Sequence, residues 1–170
     1  LDLTQIYNGP YATFLMAIAG ADVVKVEPPG GEYLRRRDAR AGADVPFAML
    51  NGAKRSISLN LKTERGRELF LDLVRGADVV AENFRPGTLE KWGLGPDVLM
   101  ALNPRLVMLR VTGFGQTGPY KDRPGFARIA HAVGGLTYLA GEPGRAPVTP
   151  GSTSLADYMS GMYGAIGVLM

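Results

Sequence analysis

Asp78-Val79-Val80-Ala81, running into Glu82-Asn83-Phe84-Arg85-Pro86-Gly87, is the stretch on which the reading of the fold turns. A short apolar run rich in β-branched residues and closed by a proline-glycine turn predicts a buried strand. The residues before it, 63–74, carry an amphipathic helical pattern, with Thr63 as the cap and Gly76 as the stop. Helix and strand in succession point to a parallel sheet, and the turn at Glu82 to Gly87 then lies at the carboxyl end of a strand, where open α/β sheets bind ligands.

The same alternation extends in both directions. Toward the amino end, Asn8-Gly9-Pro10 precedes an apolar helical run over residues 11–19 that Gly20-Ala21 ends. Residues 22–27 form a short buried strand closed by Pro28-Pro29-Gly30-Gly31, and residues 56–61 alternate strictly, predicting a half-exposed strand with Lys54-Arg55 just before it. Toward the carboxyl end, two short helices over residues 88–92 and 96–102 flank Gly93-Leu94-Gly95. A strand over 106–111 leads into a glycine-rich loop over 112–119, and a helix over 126–139 is weakened by Gly134-Gly135. The expected class is α/β, a parallel sheet with helices on both faces.

At 170 residues, with 46% hydrophobic and 21% charged, the chain can bury the core of one α/β domain. It has no cysteine, which excludes a disulfide framework, a thiolate nucleophile and cysteine-based metal sites, and fits a cytoplasmic protein. The longest apolar run is too short and too glycine-rich to span a membrane, and no leader pattern is recognisable. A net charge of +3 admits an anionic ligand, but the basic residues lack the aromatic interleaving of a nucleic-acid groove. The opening on Leu1 and the stop at Met170 inside an apolar run suggest part of a longer chain. Residues 32–45, with Arg35, Arg36, Arg37 and Arg40 beside Asp38 and Asp44, read as a loop: either a solvated charge run or an anion clamp for phosphates.

The residues that carry chemistry are found largely by elimination. Gly113, Gly115 and Gly118 have dinucleotide spacing, but Pro119-Tyr120 follows instead of a helix, so these glycines fit a close approach of a ligand or strand. No Walker motif, zinc-type histidine pair or serine elbow occurs, and the single histidine, His131, reads as a packed or surface residue of a helix. Carboxylates remain. Asp157, the only charged residue after Arg145, follows Pro150 and the candidate caps Ser152, Thr153 and Ser154, and so sits in the first turn of a helix. Gly161 and Gly164 follow it on the same face, which either clears an approach to the carboxylate or lets another helix pack closely. An aspartate of this kind can attack an activated acyl group such as a thioester and become acylated itself.

A set of motifs then carries a resemblance: Gly9-Pro10 before an apolar helix, Gly20-Ala-Asp-Val-Val-Lys-Val-Glu27-Pro28, Lys54-Arg55-Ser56 with Leu59-x-Leu61-Lys62-Thr63, Glu82 to Gly87, Gly113-Phe-Gly115-Gln-x-Gly-Pro119-Tyr120 and Asp122-Arg-Pro124-Gly125-Phe126. In this order, over nearly the whole chain, they resemble the family III CoA-transferases, which include formyl-CoA and carnitine CoA-transferases and α-methylacyl-CoA racemase.

The resemblance implies a Rossmann-like large domain of an interlocked homodimer, with residues 1–170 as the amino-terminal part of that domain and the small domain absent. It implies an acyl-CoA:carboxylate CoA-transferase with Asp157 as covalent nucleophile. Coenzyme A serves as substrate and not as a prosthetic group, a carboxylic acid is the second partner, and no metal, nucleic acid or membrane is involved. The implied CoA contacts are Asn8, Lys54, Asn83, Phe84 and Arg85. Independently, the phosphates of CoA call for cations such as Lys54, Arg55 or Arg85, with Arg85 alternatively pairing Glu82, while Asn83 suits the pantetheine amides. Two departures bear on the substrate: Tyr7 stands where formyl-CoA transferases carry glutamine, and Phe126-Ala127 where the racemases carry histidine and aspartate. The alternatives left are a 2-methylacyl-CoA racemase and an inactive CoA-binding domain.

Overall fold

The structure is a computed structural model and describes residues 1–37 and 45–170. Asp38, Arg40 and Asp44 of the expected anion clamp lie outside the described residues. Four short strands, β1 (Val24–Glu27), β2 (Arg55–Ser58), β3 (Val79–Glu82) and β4 (Val107–Arg110), pair as β1 with β2 and β3 with β4, both parallel. Residues 1–3 join the two pairs. Asp2 bridges Lys25 of β1 and Ala81 of β3, with Asp2 N donating to Val24 O at 2.9 Å and Leu3 N to Ala81 O at 2.8 Å. The spatial order is therefore β2, β1, residues 1–3, β3, β4, all parallel. The chain leaves the centre toward β1 and β2, then returns to build β3 and β4 on the other side. That reversal defines a topological switch point between residues 1–3 and β3, as in doubly wound folds.

The two faces of this sheet are built differently. Leu3, Val26 and Val80 turn to a dry layer with Phe70 and Val74 of α4 (Glu64–Arg75) and Leu99 of α6 (Pro96–Leu102). Phe70 and Val74 follow from the spacing read in the sequence, and Thr63 Oγ1 caps α4 by accepting from Gly66 N at 3.1 Å. The alternate residues Asp2 and Lys25 face the opposite way, as the pleat requires, under α1 (Asn8–Ile18). On this side α1 packs along α9 (Leu155–Leu169), which also reaches β4.

Three details differ from the sequence expectation. β2 is exposed at all four residues, because it is an edge strand that the described residues cover on neither face. A helix over residues 126–139 is in fact two, α7 (Ala127–Val133) and α8 (Leu136–Leu139), parted where Gly135 takes φ 80°. Within residues 32–45, α2 (Leu34–Arg37) forms where Arg35 closes on Glu27, and beyond it comes α3 (Val45–Asn51). The short helix α5 (Thr88–Lys91) follows the turn after β3.

Candidate active site

The loops beyond the carboxyl ends of residues 1–3, β3 and β4 surround a cavity of about 620 Å³. Its wall includes residues 5–8, Asn83 to Pro86, the glycine loop at Thr112 and Gly113, Lys121 and residues 123–128, and Thr153, Ser154 and Asp157. The site thus opens at the switch point.

Polar groups tie the loops at residues 5–8 and 83–84 from behind. Asn83 is a clasp: its Nδ2 donates to Gln5 O and to Asn8 Oδ1, both at 2.7 Å, and its Oδ1 accepts from Gln5 N at 2.9 Å. Glu32 accepts from Ile6 N at 2.7 Å, and Ile6 is held at φ 68°, a conformation a β-branched residue adopts only under compulsion. Glu82, 1% exposed, takes Arg110 Nε at 2.7 Å and Phe84 N at 2.7 Å; Arg110 also reaches Glu90 at 2.9 Å. Burial pushes the Glu82 and Glu32 carboxyls up, against the hydrogen bonds that each accepts. Glu27 shows the reverse balance. Burial would raise it too, but hydrogen bonds from Arg35, Ser56 and Glu32 N hold it down at about 2.

Asp2 anchors the strand side. It is fully buried and accepts from Thr4 N at 2.8 Å, Thr13 Oγ1 at 2.8 Å and Lys54 Nζ at 2.9 Å, with Lys25 Nζ at 3.6 Å. Burial would raise its carboxyl, but the two ammonium groups and Thr4 draw it below its ordinary value. Lys54 spends its remaining donors on Pro10 O at 2.9 Å and Asn51 Oδ1 at 2.8 Å, and burial lowers its ammonium to about 8.

Of the residues singled out in the sequence, Asn8, Asn83, Phe84, Arg85 and Asp157 come together on the cavity wall. Lys54 does not: its side chain is 1% exposed and points into the Asp2 cluster beneath the wall. Arg85 is exposed, and Glu82 pairs Arg110 and not Arg85. Phe84 is set by an edge contact with Trp92, ring centroids 5.4 Å apart. Phe126 and Ala127, where the racemases carry histidine and aspartate, also line the wall.

Asp157 stands apart electrostatically. It is half-buried, yet no group among the described residues donates a hydrogen bond to its carboxylate or pairs with it, whereas Asp2, Glu27, Glu32 and Glu82 are all satisfied. Burial pushes its carboxyl up. The glycines behind it settle the choice left open above in favour of packing. A Cβ on Gly161 would lie 2.5 Å from Asn8 O and one on Gly164 3.1 Å from Leu109, so both serve the contact of α9 with α1 and β4. Gly113 and Gly125 likewise press backbone on backbone. Sequence reasoning missed Glu32, Ile6 and Arg110; none carries a local signal, since their partners are 26 to 28 residues away.

The sequence model of CoA-transferase family III matches residues 1–170. The chain belongs to that family. It is 57% identical, over 100% of its own length and 43% of the relative's, to a succinyl-CoA–L-malate CoA-transferase beta subunit of Chloroflexus aurantiacus. It is 41% identical to an acetyl-CoA:oxalate CoA-transferase of Acetobacter aceti over 99% of its own length and 44% of that protein's. A crystal structure of a CaiB/BaiF family protein from Brucella suis superposes with a TM-score of 0.91 at 40% identity, covering 98% of this chain and 46% of the other. The chain thus spans less than half the length of the relatives it matches, and its α/β fold is that of the family. Among the described residues no helix is long and apolar enough to cross a membrane.

Proposed function

We propose that the chain forms the amino-terminal part of the large domain of an acyl-CoA:carboxylate CoA-transferase, with Asp157 as its covalent nucleophile. One observation carries this reading: Asp157 is, among the described residues, the half-buried carboxylate left unpartnered, and it faces the cavity at the switch point. An oxygen of Asp157 bonds to the thioester carbonyl carbon, the C–S bond breaks, and CoA leaves as thiolate with the electron pair. The thiolate then attacks the Asp157 carbonyl of the mixed anhydride, releasing the donor acid as carboxylate and leaving CoA in thioester linkage to Asp157. The acceptor carboxylate repeats the two steps in the opposite sense and departs as its CoA thioester.

No proton moves in this sequence, which fits a site that pairs no general acid with Asp157. Partial burial favours the chemistry twice, by making the carboxylate more basic and by keeping water from the anhydride. Asn8, Asn83, Phe84 and Arg85 form the CoA side, and Lys54 supports that side from beneath by holding Asp2, Pro10 O and Asn51 in place. Arg85, Lys121, Arg123 and Arg128 around the cavity suit an anionic nucleotide and acids with more than one carboxylate, in keeping with the succinate and malate in the names of relatives. The assembled enzyme is a cytoplasmic, interlocked homodimer in this reading.

The test uses the full-length protein with a panel of acyl-CoAs, trapping by hydroxylamine or borohydride, and peptide mass spectrometry. Label on Asp157 that disappears in Asp157→Ala supports transfer. CoA binding without label on Asp157 refutes it, and deuterium loss at C2 of a 2-methylacyl-CoA would favour racemisation instead.

A further inference from the structure

His131 takes no part in the transfer steps above, yet it is 1% exposed and lies where α7 crosses the start of α9. The first N–H groups of any helix lack partners within it. In α9 the Ser154 side chain, in the capping position, makes no such bond. Instead Ala156 N donates to His131 Nε2 at 3.0 Å. An imidazole from another helix thus does the capping, at the residue directly before Asp157.

That bond also fixes the imidazole's state. Nε2 accepts, so it carries no proton; the ring is neutral and its proton sits on Nδ1. Nδ1 is buried and has no partner among the described residues. A buried polar atom left unsatisfied marks a side chain retained for something other than packing.

We infer that His131 is a positioning residue for the acyl transfer: as a neutral imidazole it caps α9 through Ala156 N and so holds the Asp157 carboxylate aimed into the cavity while leaving it unpaired. This role rests on Asp157 being the nucleophile. It predicts that the side chain matters as an acceptor and not as a charge or as bulk.

The experiment compares His131→Leu, His131→Gln and Asp157→Ala in the full-length protein. It follows release of CoA thiol from an acyl-CoA in a single turnover, CoA affinity, and hydrogen exchange at the Ala156 amide. In His131→Leu the thiol-release rate falls about 10- to 100-fold, the loss expected of a slightly misplaced reacting group, while KM and CoA affinity stay within about twofold. Ala156 exchange quickens. In His131→Gln the amide oxygen restores the acceptor, and both rate and exchange return toward wild type. Thiol release at the wild-type rate in His131→Leu, with release abolished in Asp157→Ala, overturns the positioning role alone, as does a glutamine variant no faster than the leucine one. Thiol release that survives Asp157→Ala overturns the nucleophile reading, and the positioning role with it.

Discussion

Replacing Gly161 with alanine asks whether the bare face of α9 exists for the substrate or for α1. The new Cβ would lie 2.5 Å from Asn8 O, 3.1 Å from Tyr11 Cδ1 and 3.2 Å from Ala12 N. Carbon and carbonyl oxygen rest at about 3.3–3.6 Å, so the helices must part by roughly 0.9 Å. The opposing atoms are mostly backbone and cannot rotate away, which places the packing cost toward the top of the usual 1–3 kcal/mol, about 3. Alanine regains about 0.8–1 kcal/mol of helix propensity. The net expectation is a loss of about 2 kcal/mol.

The same helix supplies its own controls. A Cβ on Gly167 meets nothing within 4 Å, so Gly167→Ala should gain up to about 1 kcal/mol. A Cβ on Gly164 meets only the rotatable Leu109 side chain at 3.1 and 3.3 Å, and Gly164→Ala should fall between the two. Urea unfolding of the full-length variants reads the series, and Gly161→Ala should also weaken CoA binding, because moving Asn8 strains its 2.7 Å bond to Asn83. A Gly161→Ala protein as stable as Gly167→Ala, with CoA affinity intact, would refute the packing account and return this face to the substrate.

Three further outcomes follow from the buried charges. Asp2→Ala leaves Lys25 and Lys54 buried without their anion and should cost about 3–5 kcal/mol in urea unfolding. Glu27, held at about 2 against an ordinary 4.5, contributes a stability that is complete above about pH 4.5 and fades as pH falls toward 2; half-open Arg35 trims it to about 2 kcal/mol, and Glu27→Gln should flatten this acid limb of the unfolding profile. Asp157 is raised above its ordinary 3.8 by burial, so its ionised form weakens the fold as pH climbs above that value; Asp157→Asn should lose all covalent labelling and yet be more stable at neutral pH, measured by the same unfolding curves.

The sequence made β3 legible because it reads as a short apolar run before a proline-glycine turn, β1 because Pro28-Pro29-Gly30-Gly31 closes it, and α4 because its cap and its spacing agree. The central strand at residues 1–3 escaped notice. Three residues with an aspartate in the middle show no strand signature, and Asp2 makes sense only beside Lys25 and Lys54, which lie 23 and 52 positions away. Lys54 was misleading for the same reason: a lysine next to an arginine ahead of a strand reads as a surface cation, and the anion that draws it inward is remote in sequence. The cavity-lining residues after β3 and in α9 were legible because their signals are local. Asn83 sits in a turn at a strand end, and Asp157 sits in a first turn without competing charge nearby in the chain.

This division has a physical origin in how the molecule uses its carboxylates. Asp2, Glu27, Glu32 and Glu82 each lose their hydration and recover it from lysines, arginines, hydroxyls or backbone N–H groups, and in doing so each fixes a loop of the cavity: Asp2 holds Thr4, Glu27 and Glu32 hold residues 32–35 and Ile6, and Glu82 holds Phe84. Such partners come from distant segments, so the network that shapes the wall is invisible until the chain folds. Asp157 is partly dehydrated without that recovery, and in the proposed transfer the resulting excess free energy makes it the more reactive carboxylate. Among the described residues, these four buried, satisfied carboxylates and the half-buried, unpaired Asp157 are therefore two halves of one arrangement. The first group stores rigidity in the loops, and that rigidity keeps the fifth from relaxing onto a neighbour. Loosening the wall, for example by Asn83→Ala, should therefore slow acylation of Asp157 even though Asn83 touches neither its carboxylate nor its helix.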